Sequence, residues 1–136
     1  AVFVEIAVDD RLDVGDWIED REDDLRDEVD DLLDELADAI DDRDRGDLAQ
    51  LWGPRRDRAP TSFFDDLWSR YPATDAKYDI ESVTARDDSA DFIATVTLRG
   101  KERKGLRQRY NVVREVRWRG RLVDDRNGPH FVSSFP

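Results

Sequence analysis

One long run of aspartate mixed with aliphatic residues limits the possible folds of this chain more than any other feature. It extends from Arg21 to Arg45 and reads REDDLRDEVDDLLDELADAIDDRDR. Its aliphatic side chains recur every three or four residues, so an α-helix would gather them on one side and leave the carboxylates elsewhere. These side chains are Leu25, Val29, Leu32, Leu33, Leu36 and Ile40. The pattern predicts a long amphipathic helix that buries one face.

Residues at both ends of the run support this helix. Asp20 can cap its N-terminus, and the first turn is acidic, as the helix dipole favours. Arg43 and Arg45 supply a basic last turn, and Gly46 can adopt the left-handed conformation that ends many helices. We therefore expect the helix to stop at Gly46.

Two shorter helices are expected next along the chain. Asp47 can cap a helix over the sequence LAQLW, which a Gly-Pro pair ends. Ser62 can cap another helix from Phe63 to Arg70. The segment between them, Pro54 to Pro60, has neither a helical nor a strand pattern and is expected to be a loop.

Beyond Lys77 the hydrophobic residues alternate, as they do in β-strands. The first strand is expected over Tyr78 to Ala85, and the second has an inward row of Phe92, Ala94, Val96 and Leu98. A third strand is expected over Leu106 to Trp118. After a turn at Arg119 to Arg121, a short strand is expected at Leu122 and Val123. Tyr110 and Trp118 should face inward. Val113 and Arg114 break the alternation, which predicts a bulge near them.

The chain is expected to form one α+β domain over residues 1–136. Residues 1–20 would supply an N-terminal strand, Val2 to Val8, and a polar linker. Residues 21–72 would form the helices, and residues 77–136 an antiparallel sheet of about four to five strands with a C-terminal tail. The helices should pack on the sheet.

The composition is strongly acidic and poor in lysine. The chain carries 26 Asp and 8 Glu against 19 Arg and 3 Lys, for a net charge of −12. Molar salt shortens the Debye length to roughly 3 Å and screens the self-repulsion of such a surface. The pattern is typical of proteins from an extreme halophile, and a GC-rich genome is the alternative explanation. The charge is also segregated, with −16 on residues 1–50 and +6 on residues 101–136.

Several classes of site are disfavoured by the residues that the chain lacks. It has no cysteine, so disulfides and thiolate-ligated metals are excluded, and its single histidine makes a histidine-rich metal site improbable. No run of 18 apolar residues and no leader pattern occurs, so we expect neither a membrane span nor a signal peptide. We expect no metal, no cofactor and a location in a virion or in the cytoplasm of a halophile.

Few residues qualify as catalytic candidates. His130 lies in the sequence GPHF and could be a general base or a packed side chain, but no orienting partner can be identified. Asp124 and Asp125 are adjacent, so a strand would point them to opposite faces. The helix carboxylates are better explained as a solvated face than as a calcium site, because the ligand spacing of a calcium loop is missing. No catalytic residue is therefore assigned.

A row of arginines is the strongest candidate for a binding surface. Its members recur at strand spacing: Arg107, Arg109, Arg117, Arg119 and Arg121. Nucleic acid is an unlikely partner, since phosphate contacts weaken in salt and exposed stacking aromatics are not expected. Pairing with carboxylates, within or between subunits, is favoured. The proposed subunit interface comprises the five arginines together with Asp27, Asp31, Asp34 and Asp38.

The chain resembles the neck or tail-completion family of lambdoid tailed viruses in the order of its elements. That family begins with a strand and a long amphipathic helix, then has Ala-Pro-Thr, a sheet and a Pro-aromatic tail. The matching segments here are VFVEIAV, the helix from Arg21, Ala59-Pro60-Thr61 and Pro129-His130-Phe131. The family's Thr-Gly is replaced by Thr61-Ser62, and its Glu-x-Gly-Thr is absent. The resemblance implies a ring subunit that joins a viral head to a tail.

The chain also resembles the nuclear-transport-factor-like, or SnoaL-like, cone fold. LLDELADAIDDRDRGDLAQLW is similar to its first helices, and WRGRLVDD is similar to its closing strand. This resemblance covers residues 21–125 and implies a pocket for a small apolar ligand, with isomerase or hydrolase activity. The polar pair that such enzymes place in the cone cannot be assigned from the sequence.

The sequence as a whole favours a structural subunit over an enzyme. No catalytic constellation is found, and the two halves carry opposite charge, which suits head-to-tail contacts that close into a ring. We therefore predict a non-enzymatic virion protein whose partners are its own copies and neighbouring structural proteins. The alternative is a cone-fold module that binds a small ligand.

Overall fold

The computed structural model describes residues 23–101 and 109–136, which form helices packed on one antiparallel sheet. The sheet order is β1-β2-β3-β4, a simple meander. The elements in chain order are α1 (23–42), α2 (Arg45–Gln50), a 3₁₀ helix (Gly53–Arg58), α3 (Thr61–Arg70), β1 (Ala73–Ala85), β2 (Ser89–Lys101), β3 (Tyr110–Asp125) and β4 (Gly128–Phe131). The predicted α+β class is confirmed. The predicted strand Val2 to Val8, Leu106 and Arg107 lie outside the described residues.

The helical periodicity of the acidic run predicts its buried face correctly. All six aliphatic residues of the pattern lie in the core with at most 5% of their surface exposed, while Asp27, Asp31, Asp34 and Asp38 are exposed. Burying each such side chain stabilises the fold by about 1.5–3 kcal/mol before entropy is considered. The apolar stripe therefore attaches α1 to the sheet. No helix in the described residues is long and apolar enough to cross a membrane.

The end of α1 differs from the expected stop at Gly46. The left-handed residue is Arg43, with φ of 58°, and the backbone N–H of Asp44 bonds the carbonyl of Ala39 at 3.0 Å. The Arg43 guanidinium donates hydrogen bonds to the carbonyls of Trp68 and Tyr71 at the end of α3. These bonds offset the strain of a positive φ at a residue other than glycine. Gly46 lies inside α2 instead.

Two predicted helix starts and one predicted loop are corrected. Asp44, rather than Asp47, caps α2, because its carboxylate accepts the backbone N–H of Asp47 at 3.0 Å. Helix α3 begins at Thr61 after Pro60, and no side chain caps it. The Pro54–Pro60 segment is largely 3₁₀ helix. A proline near its first position fits this tight turn, which the sequence pattern does not reveal.

Strand β1 begins five residues earlier than the alternation predicts. Its second residue, Thr74, is fully buried and donates its hydroxyl to the Ile40 carbonyl at 3.0 Å. The indole of Trp68 donates to the same carbonyl at 3.2 Å. A buried carbonyl at a helix end needs such donors. The hydrogen bond from Thr74 therefore holds the start of β1 against the end of α1.

Strand β3 is longer than predicted and runs through Gly120 without a turn. Gly120 lies opposite Phe92 in the register, and a side chain at this position would overlap the Phe92 ring. The glycine thus makes room for a neighbour and does not mark a turn. The predicted bulge is confirmed, because Leu98 pairs with Arg114 and Arg99 with Val112, leaving Val113 unpaired. Tyr110 was wrongly predicted to face inward and is 38% exposed.

Aromatic rings fill the space between the inner face of the sheet and the short helices. Trp118 packs edge-on against Phe92, with ring centres 5.0 Å apart, and stacks near Trp52 and Phe131. The C-terminal tail closes this group. The indole N–H of Trp52 donates to the Ser133 carbonyl, and that of Trp118 to the Ser134 carbonyl, both at 3.0 Å. Each buried indole thereby obtains the partner it needs.

We expect Gly120→Ala to destabilise the protein by about 1–3 kcal/mol, because the added methyl group forces Phe92 out of its position. Thermal unfolding monitored by circular dichroism measures the loss. Gly46→Ala is the matched control. Its methyl group meets only a carboxylate oxygen of Asp44 at 3.4 Å, and alanine favours a helix, so stability should be retained or improved. Equal melting temperatures for the Gly120 variant and the unmodified chain would contradict the proposed close packing.

Candidate functional site

The described residues are closely packed between α1 and the inner face of the sheet. The space between α1 and the sheet is a gap too small to admit water, lined by Leu33, Leu36, Ala76, Tyr78 and Val96 among others. The other side of the interior holds the aromatic group described above. Openings large enough for a small molecule lie between α1 and β1, between α1 and α2, and on the sheet beside Asp91 and Arg121, where the volume is about 400 Å³.

A cleft between α1 and the edge strand β1 combines charged, aromatic and aliphatic side chains. Its volume is about 420 Å³, within the usual range of ligand sites. Its walls combine carboxylates, one guanidinium, one phenol and one aliphatic side chain: Arg26, Asp27, Asp30, Tyr78, Asp79 and Ile80. Helix α1 presents the first three because they lie on its solvent side, and β1 presents the others.

Tyr78 and Asp30, which both line this cleft, are joined by a hydrogen bond. The Tyr78 hydroxyl lies 2.5 Å from a carboxylate oxygen of Asp30 and 3.1 Å from the Asp30 backbone carbonyl. Burial and the hydrogen bonds with Asp30 and Asp34 raise the pKa of Tyr78 well above its ordinary value, since neighbouring negative charge disfavours a phenolate. Tyr78 therefore stays protonated and donates its hydroxyl proton to the Asp30 carboxylate.

Such a pair can move protons. A protonated phenol is a general acid, a carboxylate is a general base, and both face an open cleft. A strongly shifted pKa with a specific charged neighbour is also a feature of functional sites. The alternative is a structural role, in which the hydrogen bond between Tyr78 and Asp30 holds β1 against α1, and the two roles are compatible.

A second groove, between α1 and α2, is larger but chemically simpler. Its volume is about 510 Å³, with carboxylates of Glu35, Asp38, Asp42 and Asp47 around a floor that includes Leu51. The nearby Asp44 charge raises the pKa of Asp47. The amide of Gln50 also lines the groove, and among the described residues none of these four carboxylates forms an ion pair. Among the described residues, no group of three or more His, Cys, Asp or Glu side chains could hold a metal ion.

The His130 side chain is buried, and one of its ring nitrogens has a hydrogen-bond partner. It is 4% exposed, and its Nδ1 lies 2.8 Å from the Gly128 carbonyl and 4.0 Å from Asp125. Its ring lies against Gly53, where a Cβ atom would come within 2.8 Å of the ring. His130 thus fills the space over a glycine with φ of 54° and lines none of the clefts described above.

The arginine row is divided among different partners. Arg117 bonds Glu81 of β1, with Nη2 2.8 Å from Oε2, and Arg121 bonds Asp91 of β2 at 2.7 Å. Arg119 and Arg109 are exposed. Among the described residues, Arg117 and Arg121 are therefore paired with carboxylates of the sheet and not with those of α1.

The helix aspartates of the proposed interface lie on another part of the surface. Asp27 lines the cleft with Tyr78, the charge of Asp34 helps to raise the pKa of Tyr78, and Asp38 lines the second groove. Asp31 is exposed. Contacts between subunits through these residues remain a prediction. The sequence missed the Tyr78–Asp30 pair because the two residues are separated by 48 positions and neither belongs to a motif.

The fold is shared with two solved structures. The Kfla4162 protein from Kribbella flavida superposes with a TM-score of 0.59 at 15% identity, covering 80% of this chain and 86% of that one. A candidate dehydratase of the NTF2-like family from Streptomyces avermitilis gives a TM-score of 0.57 at 11% identity, covering 81% and 93%. No family model and no curated protein matches the chain.

These likenesses support the cone fold and correct the prediction of a non-enzymatic protein. That prediction rested on the lack of a catalytic motif in the sequence. A chain with the same fold is described as a candidate dehydratase, so the fold accommodates enzymes without such a motif. The resemblance to viral neck proteins finds no support in these comparisons.

The paired carboxylates of the sheet should make stability depend on pH. The hydrogen bond from Arg121, followed by the charges of Arg121 and Arg86, lowers the pKa of Asp91 below 3.8. A carboxyl group whose pKa is lower in the folded state than in the unfolded state stabilises the fold at pH values above its unfolded-state pKa. This contribution disappears as the pH falls through its folded-state pKa. We expect Arg121→Gln to reduce the difference between urea midpoints measured at about pH 7 and about pH 3.

Arg126→Gln is the control, because Arg126 is exposed and forms no ion pair among the described residues. It should leave the difference between the two midpoints unchanged. If both variants behave like the unmodified chain, Asp91 contributes nothing to acid stability.

Proposed function

We propose that this chain is a cone-fold enzyme that transfers protons on a small organic molecule in the cleft between α1 and β1. The reaction class is elimination of water from a β-hydroxy carbonyl compound. The observation that carries the proposal is the hydrogen bond of 2.5 Å between Tyr78 and Asp30, which both line an open cleft. The shared fold with a candidate dehydratase supports the same class.

The two residues take opposite roles in this reaction. The Asp30 carboxylate removes the proton from the carbon beside the carbonyl. The electron pair of that C–H bond forms the C=C bond, and the C–O bond to the hydroxyl group breaks. The Tyr78 hydroxyl gives its proton to the departing oxygen, which leaves as water. Substrate atoms and electrons balance without an oxidant or a reductant.

The raised pKa keeps the Tyr78 hydroxyl protonated at the start of the reaction. The Asp30 charge is one cause of the shift, so protonation of Asp30 removes part of the resistance to ionising Tyr78. After water leaves, Asp30 holds a proton and Tyr78 has lost one. The hydrogen bond between them allows the proton to return, which restores the starting state.

Arg26 supplies the positive charge that the substrate needs. It is the only cation among the described residues that line the cleft, and it is exposed on α1. A guanidinium can donate to the substrate carbonyl and stabilise the negative charge that develops there when the carbon loses its proton. Asp27 and Asp79 at the rim disfavour substrates with a carboxylate. A neutral β-hydroxy ketone fits these charges.

The test uses 4-hydroxybutan-2-one as the probe and follows the ultraviolet absorbance of the conjugated ketone. We expect turnover by the unmodified chain and a loss of about 100-fold or more in kcat for Tyr78→Phe and for Asp30→Asn, as for removal of a general acid or base. Arg26→Gln should raise KM and lower kcat.

Tyr71→Phe is the matched control. The Tyr71 ring packs over Gly100, and it lies outside the cleft, so kcat should be unchanged. Equal rates for Tyr78→Phe and the control would contradict the proposal. The absence both of turnover and of nuclear magnetic resonance shifts at the Tyr78 ring on addition of the probe would also overturn it.

A further inference from the structure

One side of β3 is covered by a neighbouring strand at its C-terminal end alone. In the part of the chain that the structure describes, β2 accompanies almost all of β3, whereas β4 pairs with residues 122–125. The tail extends this contact by one residue, since the Arg121 carbonyl accepts the N–H of Val132 and the Arg121 N–H donates to the Ser133 hydroxyl. On this side, residues 110–117 have no strand beside them among the described residues. We call this side of residues 110–117 the open edge.

Alternate backbone groups of β3 point toward the open edge. Residues of a strand whose side chains share a face also direct their N–H and C=O groups to the same side. Glu115 and Arg117 share the face of Arg121 in the alternation of β3, and Arg121 bonds the tail. The N–H groups of Glu115 and Arg117 therefore point to the open edge. Backbone groups at such an edge are a template for pairing with another strand.

The open edge is also apolar. The large hydrophobic side chains that are exposed among the described residues are Tyr110, Val112 and Val113, and all three lie on it. The opposite edge of the sheet, on β1, is protected by charged residues that include Lys77, by a bulge near Glu81 and by α1 beside it. Charges and bulges prevent pairing at an edge, so the open edge of β3 is the one suited to a further strand.

We propose that residues 2–8 of this chain pair with the open edge as a further strand, parallel to β3. Their sequence, VFVEIAV, predicts a strand of about the length of the open edge. Alternate residues, among them Val4 and Ile6, form an apolar row that faces the helices. The Phe63 ring of α3 lies on that side of the edge, with the Arg114 guanidinium 5.1 Å from its centre.

The length of the connection to α1 favours the parallel direction. Residues 9–22 span at most about 50 Å. From the start of α1, seven helical residues lead to Asp30, Tyr78 joins Asp30 to β1, and two strand spacings lead on to Val116, a path of roughly 30 Å. A parallel strand ends near Val116. An antiparallel strand ends at the other end of the open edge, which adds about 20 Å and requires a fully extended connection.

The parallel direction also gives the connection its usual hand. Strands β1 and β3 are parallel, since each is antiparallel to β2, so residues 2–8 are parallel to β1 as well. The bonds of Arg121 fix which side of β3 holds the tail and the open edge. For L-residues, the passage from that side through the helices to β1 is then right-handed. Nearly all connections between parallel strands of one sheet have this hand.

Opposite charges favour the same placement. Residues 1–20 carry seven acidic side chains and one basic side chain. Three arginines at or near the open edge, Arg109, Arg114 and Arg119, are exposed and form no ion pair among the described residues. The basic edge therefore attracts the acidic segment.

The test is the exchange of β3 amides in deuterated water, followed by nuclear magnetic resonance. We expect the N–H groups of Glu115 and Arg117 to exchange slowly, because residues 2–8 bond them. Val4→Pro removes a donor and disfavours a strand, so it should speed both exchanges by about tenfold or more. Fast exchange of both groups in the unmodified chain overturns the proposal, as does slow exchange that Val4→Pro leaves unchanged.

Arg11→Pro is the matched control, because it makes the same change in the connection and should leave the exchange of Glu115 and Arg117 unaltered. The Val116 N–H points to β2 and should exchange slowly in every variant, which shows that the sheet is intact. Loss of its protection in Val4→Pro, with a native circular dichroism spectrum, also overturns the proposal, since an edge strand protects the open edge alone.

A spin label tests the direction of the strand and the chain that supplies it. The chain has no cysteine, so Ala1→Cys provides a single attachment site. A nitroxide there should broaden the amide signals of Val112 and Val113 more than those of Arg117 and Arg119, and the reverse order contradicts the parallel direction. In a mixture of labelled chain and unlabelled, isotope-enriched chain, the enriched signals should stay sharp. Broadening of these signals means that a second copy supplies the strand and overturns the proposal.

Discussion

The fold depends on pairing large rings with residues that have little or no side chain. Phe92 lies opposite Gly120, and Trp118 lies opposite Ala94. The Tyr71 ring covers Gly100, where a Cβ atom would come within 2.6 Å of it. These small residues allow the rings to lie close to the sheet backbone, so that α1 and the 3₁₀ segment can close over them. Close packing of this kind leaves little freedom for substitution.

The parts of the fold that depend on local pattern could be predicted from the sequence. The helical period identified the buried face of α1, and strict alternation identified the inner row of β2. Even the bulge at Val113 followed from a break in alternation. Gly120 was misinterpreted as a turn, because a sequence does not show that the ring of Phe92 occupies the space beside it. A glycine next to arginines resembles a turn unless its neighbour across the sheet is known.

The candidate site was harder to predict, because it depends on contacts between distant residues. Asp30 is one of many aspartates on α1, and Tyr78 is one position in an alternating strand. Only the packing of β1 against α1 brings the two together. The arginine row was recognised, but the register decides its partners: Arg121 is opposite Asp91, and Arg117 reaches Glu81 across Thr95. Residue types alone therefore predicted a charged surface but not which arginine pairs with which carboxylate.

The bonds between the two core tryptophans and the C-terminal tail affect how the chain reaches its native state. The Trp52 indole binds the Ser133 carbonyl across a sequence separation of 81 residues, so this bond closes a very long loop. Long loops cost more entropy to close, and folds rich in distant contacts form slowly. Assembly of the sheet comes before the tail has a surface to bind. The hydrogen bonds from both indoles to the tail are therefore expected to form late in folding, after the sheet has assembled.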